Sequence, residues 1–171
     1  MRFHWRLVLL LLPSMWAQTP ATPPATQVIR EFYNDYQRLH FSGLPDRTAA
    51  QKLSSYWSPV LNAAVARAQQ EQGRCLKAHP ADKAPWIEGD LFSSNFEGFT
   101  TVRVEDSKTG KASRERVTLQ FEYATGKWSD QILAVKQGTR WLIDDVIYSR
   151  QTGFGNGYGS SLRSSLEGKG C

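Results

Sequence analysis

At 171 residues the chain has the size of one domain. Its 21 Lys and Arg against 16 Asp and Glu leave a net charge of +5, and the basic residues are scattered, which argues against a nucleic-acid surface. Two cysteines and a few histidines stand at no ligand spacing, so neither a metal nor any other cofactor is expected.

The first stretch, "MRFHWRLVLLLLPSMWAQ", carries Arg2 and Arg6 ahead of an apolar run from Leu7 to Leu12, then a break at Pro13 and Ser14 and a small residue, Ala17. This pattern reads as a secretory signal peptide over residues 1–17, with Ala21 as a second possible cleavage point. The apolar run falls short of the ~20 residues that a spanning helix needs, so no membrane span is expected in the mature chain. Cleavage would lower the net charge by two and send the domain to the periplasm or the exterior. Such an oxidising compartment favours pairing of Cys75 with Cys171.

Residues 18–26 are Pro-rich and read as a linker. Val28, Ile29, Phe32, Tyr36 and Leu39 then recur at helical spacing, with Thr26 placed to cap the start and "SGLPD" (Ser42 to Asp46) to end the helix. A second helical stretch holds Leu53, Tyr56 and Trp57. Ser58 and Pro59 open a third, with Val60, Leu61, Ala64, Val65 and Ala68 as its apolar face and an end near Gly73. "KAHPADKAP" reads as a loop.

After Phe96 the period changes. "TTVRVED" leads to a turn at "SKTGK", with Arg114 to Arg116 as a solvated strand entrance. "VTLQFEY" alternates as a half-buried antiparallel strand, and "WSDQILAVK" and "RWLIDDVIY" flank a hairpin turn at "QGT". The last two strands are apolar on both faces, so they are expected to be central or covered. Residues 151–171 form a Gly- and Ser-rich tail. "GFGNGYG" lacks dinucleotide-loop spacing, and Leu162 and Leu166 suit one short helix. The fold class is α+β: helices packed in the concave face of a curved sheet of about four antiparallel strands over residues 27–150, cone-like, with a cavity between sheet and helices.

Helices followed by four strands ending in W-x-x-D-D-x-x-Y resemble the nuclear transport factor 2-like (cystatin-like cone) superfamily. "GDLFSSNFEG", "WSDQ" and "RWLIDDVIY" are similar to a bacterial exported family of unknown function. The resemblance spans Val28 to Tyr148. It implies no single activity, because the superfamily includes ketosteroid isomerases, dehydratases, binding modules and dimerisation domains. It also makes a homodimer possible.

The segment Trp86 to Val104 sets carboxylates among large apolar side chains. Asp90 either accepts backbone N–H groups in a turn or, with Glu97, rims a pocket. In the last hairpin, a two-residue loop at Gln137–Gly138 places Asp130 opposite Asp145, a like-charge pair that could share a proton. A three-residue loop removes that pair, setting Asp130 against Val146 and Ile132 against Asp144. The acids could equally lie at strand ends or pair with Arg103, Arg116 or Arg140. Trp86 could stack on a ligand or lid a pocket, and Tyr33, Tyr36 and Tyr148 offer hydroxyls. The candidate ligand-binding set is therefore Asp90, Glu97, Asp130, Asp145, Trp86 and Tyr148, with no residue assigned to catalysis. Three functions are expected in order: a non-catalytic binding module for a small molecule, peptide or protein; an isomerase-, dehydratase- or hydrolase-like enzyme with a buried carboxylate base; and an envelope immunity or inhibitor protein.

Overall fold

The structure, a computed structural model, describes residues 23–105, 113–124, 126–149, 160–167 and 171. The expected signal peptide, the expected turn at residues 107–111 and the Gly/aromatic run at residues 153–159 lie outside the described residues. Element order is α1 (Ala25–Leu39), α2 (Arg47–Leu53) with a 3-10 turn at Ser54–Tyr56, α3 (Pro59–Ala78), β1 (Thr101–Val104), β2 (Arg114–Tyr123), β3 (Gly126–Gln137), β4 (Arg140–Ile147) and α4 (Leu162–Ser165). The strands form one antiparallel sheet in the order β1-β2-β3-β4, so the α+β class holds.

Helix α1 buries Ile29, Phe32, Tyr33 and Tyr36, the face that its spacing marks. It begins at Ala25 with Pro24 in the capping position and no side-chain cap, so Thr26 lies inside the helix. The Pro24 carbonyl instead accepts from Gln27 N at 3.0 Å. Asp46 caps α2 through Ala49 N at 2.7 Å, and Ser58 Oγ caps α3 through Leu61 N at 3.1 Å with Pro59 in the first turn. Helix α3 runs past Gly73 to Ala78, where an end near Gly73 was expected. A Cβ at Gly73 would meet nothing within 4 Å, so this glycine costs only its intrinsic propensity, about 1 kcal/mol.

On the sheet, Val102, Val104, Val117, Leu119, Phe121, Trp128, Ile132, Ala134, Ile143 and Val146 form the face toward the helices. Phe32 sits at the junction, 5.0 Å from the Tyr33 ring, 5.3 Å from Phe92 and 5.8 Å from Tyr56. Phe92 stacks on Trp57, and Phe121 on Trp128. Aromatic side chains thus fill the layer between α1 and the sheet, where the cone analogy led us to expect a cavity.

Strand β3 is central, but β4 is the last strand of the sheet. Its outer edge is covered at both ends. Trp57 bridges Ile143, with Ser58 N donating to Ile143 O at 2.8 Å, and Ser161 bridges Ile147. The hairpin closes at Gln137↔Arg140 around Gly138–Thr139, with Gly138 at φ 59°. A register shift opposite Leu133/Ala134 makes Asp144 an extra residue in β4, so Leu133 meets Asp145 and Ile132 meets Val146. Both expected registers are therefore corrected. Asp130 pairs with Leu119 in β2 and does not face Asp145.

Leu162 at the start of α4 and Leu166 just past its end enter the same core. Cys171 is bonded to Cys75 in the last turns of α3, with Cα atoms 5.2 Å apart and 96 residues between them in sequence. A closure of that length typically contributes about 4 kcal/mol.

Candidate functional site

Residues 86–100 have no regular secondary structure, yet they are tightly tied. Asp90 Oδ1 accepts three hydrogen bonds: Phe92 N at 2.6 Å, Ser93 N at 3.1 Å and the Tyr36 hydroxyl at 2.8 Å. The Asp90 N–H closes the loop onto Phe96 O at 2.9 Å, and Asn95 Nδ2 donates to Gly98 O at 2.8 Å. Gly98 has φ +77°, and a Cβ there would lie 3.2 Å from Asp90 Oδ2. The short polar side chain thus organises a turn, as Asp does when its carboxylate collects backbone N–H groups.

The surrounding elements fasten this turn. Tyr33 of α1 donates its hydroxyl to Phe92 O at 2.8 Å, and Tyr148, just past β4, donates to Leu91 O at 2.6 Å. Asp130 of β3 accepts from Ser94 N (2.7 Å), Ser94 Oγ (2.7 Å) and Ser149 N (2.8 Å). The break after α1 is laced to the same segment: Gly43 N donates to Gly89 O, Leu44 N to Trp86 O, and Gly89 N to Ser42 Oγ. Gly43 lies at φ +72°, and any Cβ would fall 2.2 Å from Trp86 O, so only glycine fits.

Between the end of α1 and this segment lies an open cleft of about 620 Å³. Tyr36, Gln37, His40, Phe41 and Ser42 form one wall, and Glu88 to Asp90 with Phe96 to Thr100 form the other. Tyr36 and Phe99 stack with ring centres 6.0 Å apart, and Phe41 meets Tyr36 edge-on at 5.1 Å. Gln37 Nε2 reaches Thr100 O at 3.2 Å across one end. Glu88 pairs with Lys83, whereas Glu97 is exposed.

Of the expected site residues, the fold brings Asp90 and Glu97 together on this cleft. Asp130 and Tyr148 line a separate hollow of about 380 Å³ at the end of the sheet, with Thr118, Ser129 and Gln131. Asp145 accepts from Val146 N and Arg163 N, each at 2.9 Å, and lies 3.7 Å from the Arg163 guanidinium. Its neighbour Asp144 accepts from Ser58 Oγ at 2.6 Å and from Arg163 at 2.9 Å. Trp86 is buried at positive φ, and its indole donates to Ser165 O at 2.6 Å. It contributes nothing to the cleft lining.

Burial pushes the Asp90 carboxyl up to about 6, although the Tyr36 hydroxyl and the N–H groups of Phe92 and Ser93 hold it down. Burial, with nearby carboxylates adding to it, also raises Tyr33, Tyr36 and Tyr148 well above the ordinary phenol value. All three hydroxyls therefore stay protonated and serve as donors. The cleft can hold a ligand between rings and carboxylates, and Asp90 can take up a proton near neutrality.

Gln37, Phe41, Ser42 and Thr100 escaped the sequence reading. The one local signal was the glycine in "SGLPD", which marks close backbone approach as well as a helix stop. Among the described residues no helix is long and apolar enough to cross a membrane, and no three His, Cys, Asp or Glu lie together as metal ligands. No family model, curated protein or solved structure matches the chain.

Proposed function

We propose that this chain is an exported, non-catalytic binding domain and that the cleft between α1 and residues 88–100 is its ligand site. One observation carries the reading. A concave surface of about 620 Å³ mixes aromatic and carboxylate side chains, and hydrogen bonds from α1, β3 and Tyr148 hold the Asp90 turn beside it before any ligand arrives. Small-molecule sites have this size, composition and preorganisation. The disulfide and the basic–apolar start of the chain support delivery to the periplasm or exterior. The helices-first order and the four-strand meander support the nuclear transport factor 2-like resemblance.

Isothermal titration of the mature domain against fractionated small molecules from a cell envelope tests this. Saturable heat that Glu97→Arg abolishes, with the melting temperature of the free domain unchanged, is the expected result. Fractions that bind equally well to the variant would remove the cleft from the account.

A second reading is an enzyme with Asp90 as general base, and its raised proton affinity beside the Tyr36 hydroxyl favours it. Against it, the Asp90 Oδ1 atom already accepts three hydrogen bonds that shape the turn. Turnover of any bound compound, lost in Asp90→Asn while binding persists, would establish that reading.

A further inference from the structure

We propose that the cleft receives a small organic ammonium ion, an assignment that deepens the binding-module reading and rests on it. The first argument is charge. The chain carries +5, yet among the described residues the cleft lining holds no Lys or Arg and one imidazole, His40, against the carboxylates of Glu88, Asp90 and Glu97. Lys83 compensates Glu88. Glu97 takes part in none of the ion pairs among the described residues, and the hydrogen bonds that hold Asp90 come from neutral donors. Neutral donors satisfy lone pairs without cancelling charge, so an entering cation meets an attractive field and an anion is repelled.

The second argument is the wall. Tyr36, Phe41, Phe96 and Phe99 supply aromatic surface beside those carboxylates. Ring quadrupoles attract ammonium groups, and aromatic rings joined to a few acids are how proteins recognise alkylated ammonium ions. The third is the exclusion of a bare metal ion. A hard divalent cation needs six or more oxygens at close range, and no cluster of three ligating side chains occurs among the described residues. The volume also far exceeds that of a single ion. The Asp90 Oδ2 atom takes none of the three hydrogen bonds that fix Oδ1 and remains beside Gly98 at the cleft.

Three probes of one shape isolate the charge: choline, 3,3-dimethylbutan-1-ol and 3,3-dimethylbutanoate. Each is titrated into the disulfide-bonded mature domain at pH 7.5 and followed by amide chemical shifts. Choline is expected to shift Phe41, Glu97 and Phe99 saturably, at least tenfold more tightly than the neutral alcohol, with no effect from the carboxylate. Glu97→Gln, an exposed change, is expected to weaken choline at least threefold while leaving the alcohol unaffected. Equal or tighter binding of the alcohol or carboxylate at these residues overturns the ammonium assignment and leaves the cleft a binding site. Tighter binding of Nα-acetyl-lysine N-methylamide than of choline overturns the small-molecule assignment in favour of a peptide side chain. Silence from every probe, together with envelope fractions that also fail to bind, overturns both readings.

Discussion

Two groups of buried or half-buried acids sit at different places in the fold and have their lone pairs satisfied in different ways. Asp144 and Asp145, at the bulge of β4, share Arg163 from α4. Asp90 and Asp130, around the irregular segment, are held by hydroxyls and backbone N–H groups. Both groups satisfy their lone pairs, but only the first has its charge cancelled at short range. The difference teaches that hydrogen-bond satisfaction and charge compensation are separate requirements. At Asp90 they part company: burial raises its proton affinity to about 6, and its charge is left beside the cleft.

The comparison breaks most visibly at Asp130. Replacing it with Ala strands Ser94 N and Ser149 N without their acceptor, and we expect a loss of about 3 kcal/mol in urea denaturation. A loss under about 1 kcal/mol would show that water substitutes for the carboxylate. On the other side, Arg163→Met leaves Asp144 and Asp145 without their cation. Because the Arg163 side chain is 38% exposed, solvent screening limits the expected loss to about 2 kcal/mol, with α4 amides exchanging faster. Tyr36→Phe removes a single hydroxyl from Asp90, for about 1.5 kcal/mol, and should push the Asp90 carboxyl higher still in a carbon-detected titration.

The smallest effect is also the most specific. The Asp90 proton affinity is raised on folding, so the folded state is favoured by protonation. Its contribution is fully present below about pH 4 and is lost as pH rises through 6. Relative to Asp90→Asn, the wild type should lose about 1 kcal/mol between pH 5 and pH 7. A difference that grows in the opposite direction would mean that folding stabilises Asp90 as an anion.

Much of the fold was legible because its signals are local. The spacing on α1, the Ser58–Pro59 opening of α3 and the alternation of β2 each lie within one element, and each agrees with its burial. Register was not legible. An extra residue at Asp144 displaces half of β4 by one position, and the bulge is stabilised by Ser58 and Arg163, which come from distant parts of the chain. The Asp90 turn was readable as one of two alternatives. Its partner Tyr36 lies 54 residues earlier, so no sequence window could join them. The same distance hid the cleft, whose first wall looks like nothing more than a helix end.

The bond between Cys75 and Cys171 encloses the whole sheet and α4 in one covalent ring. A protease that cuts once anywhere between those cysteines therefore opens the ring but releases no fragment. The clipped molecule keeps its full mass on a denaturing gel and separates into two bands only after a thiol is added.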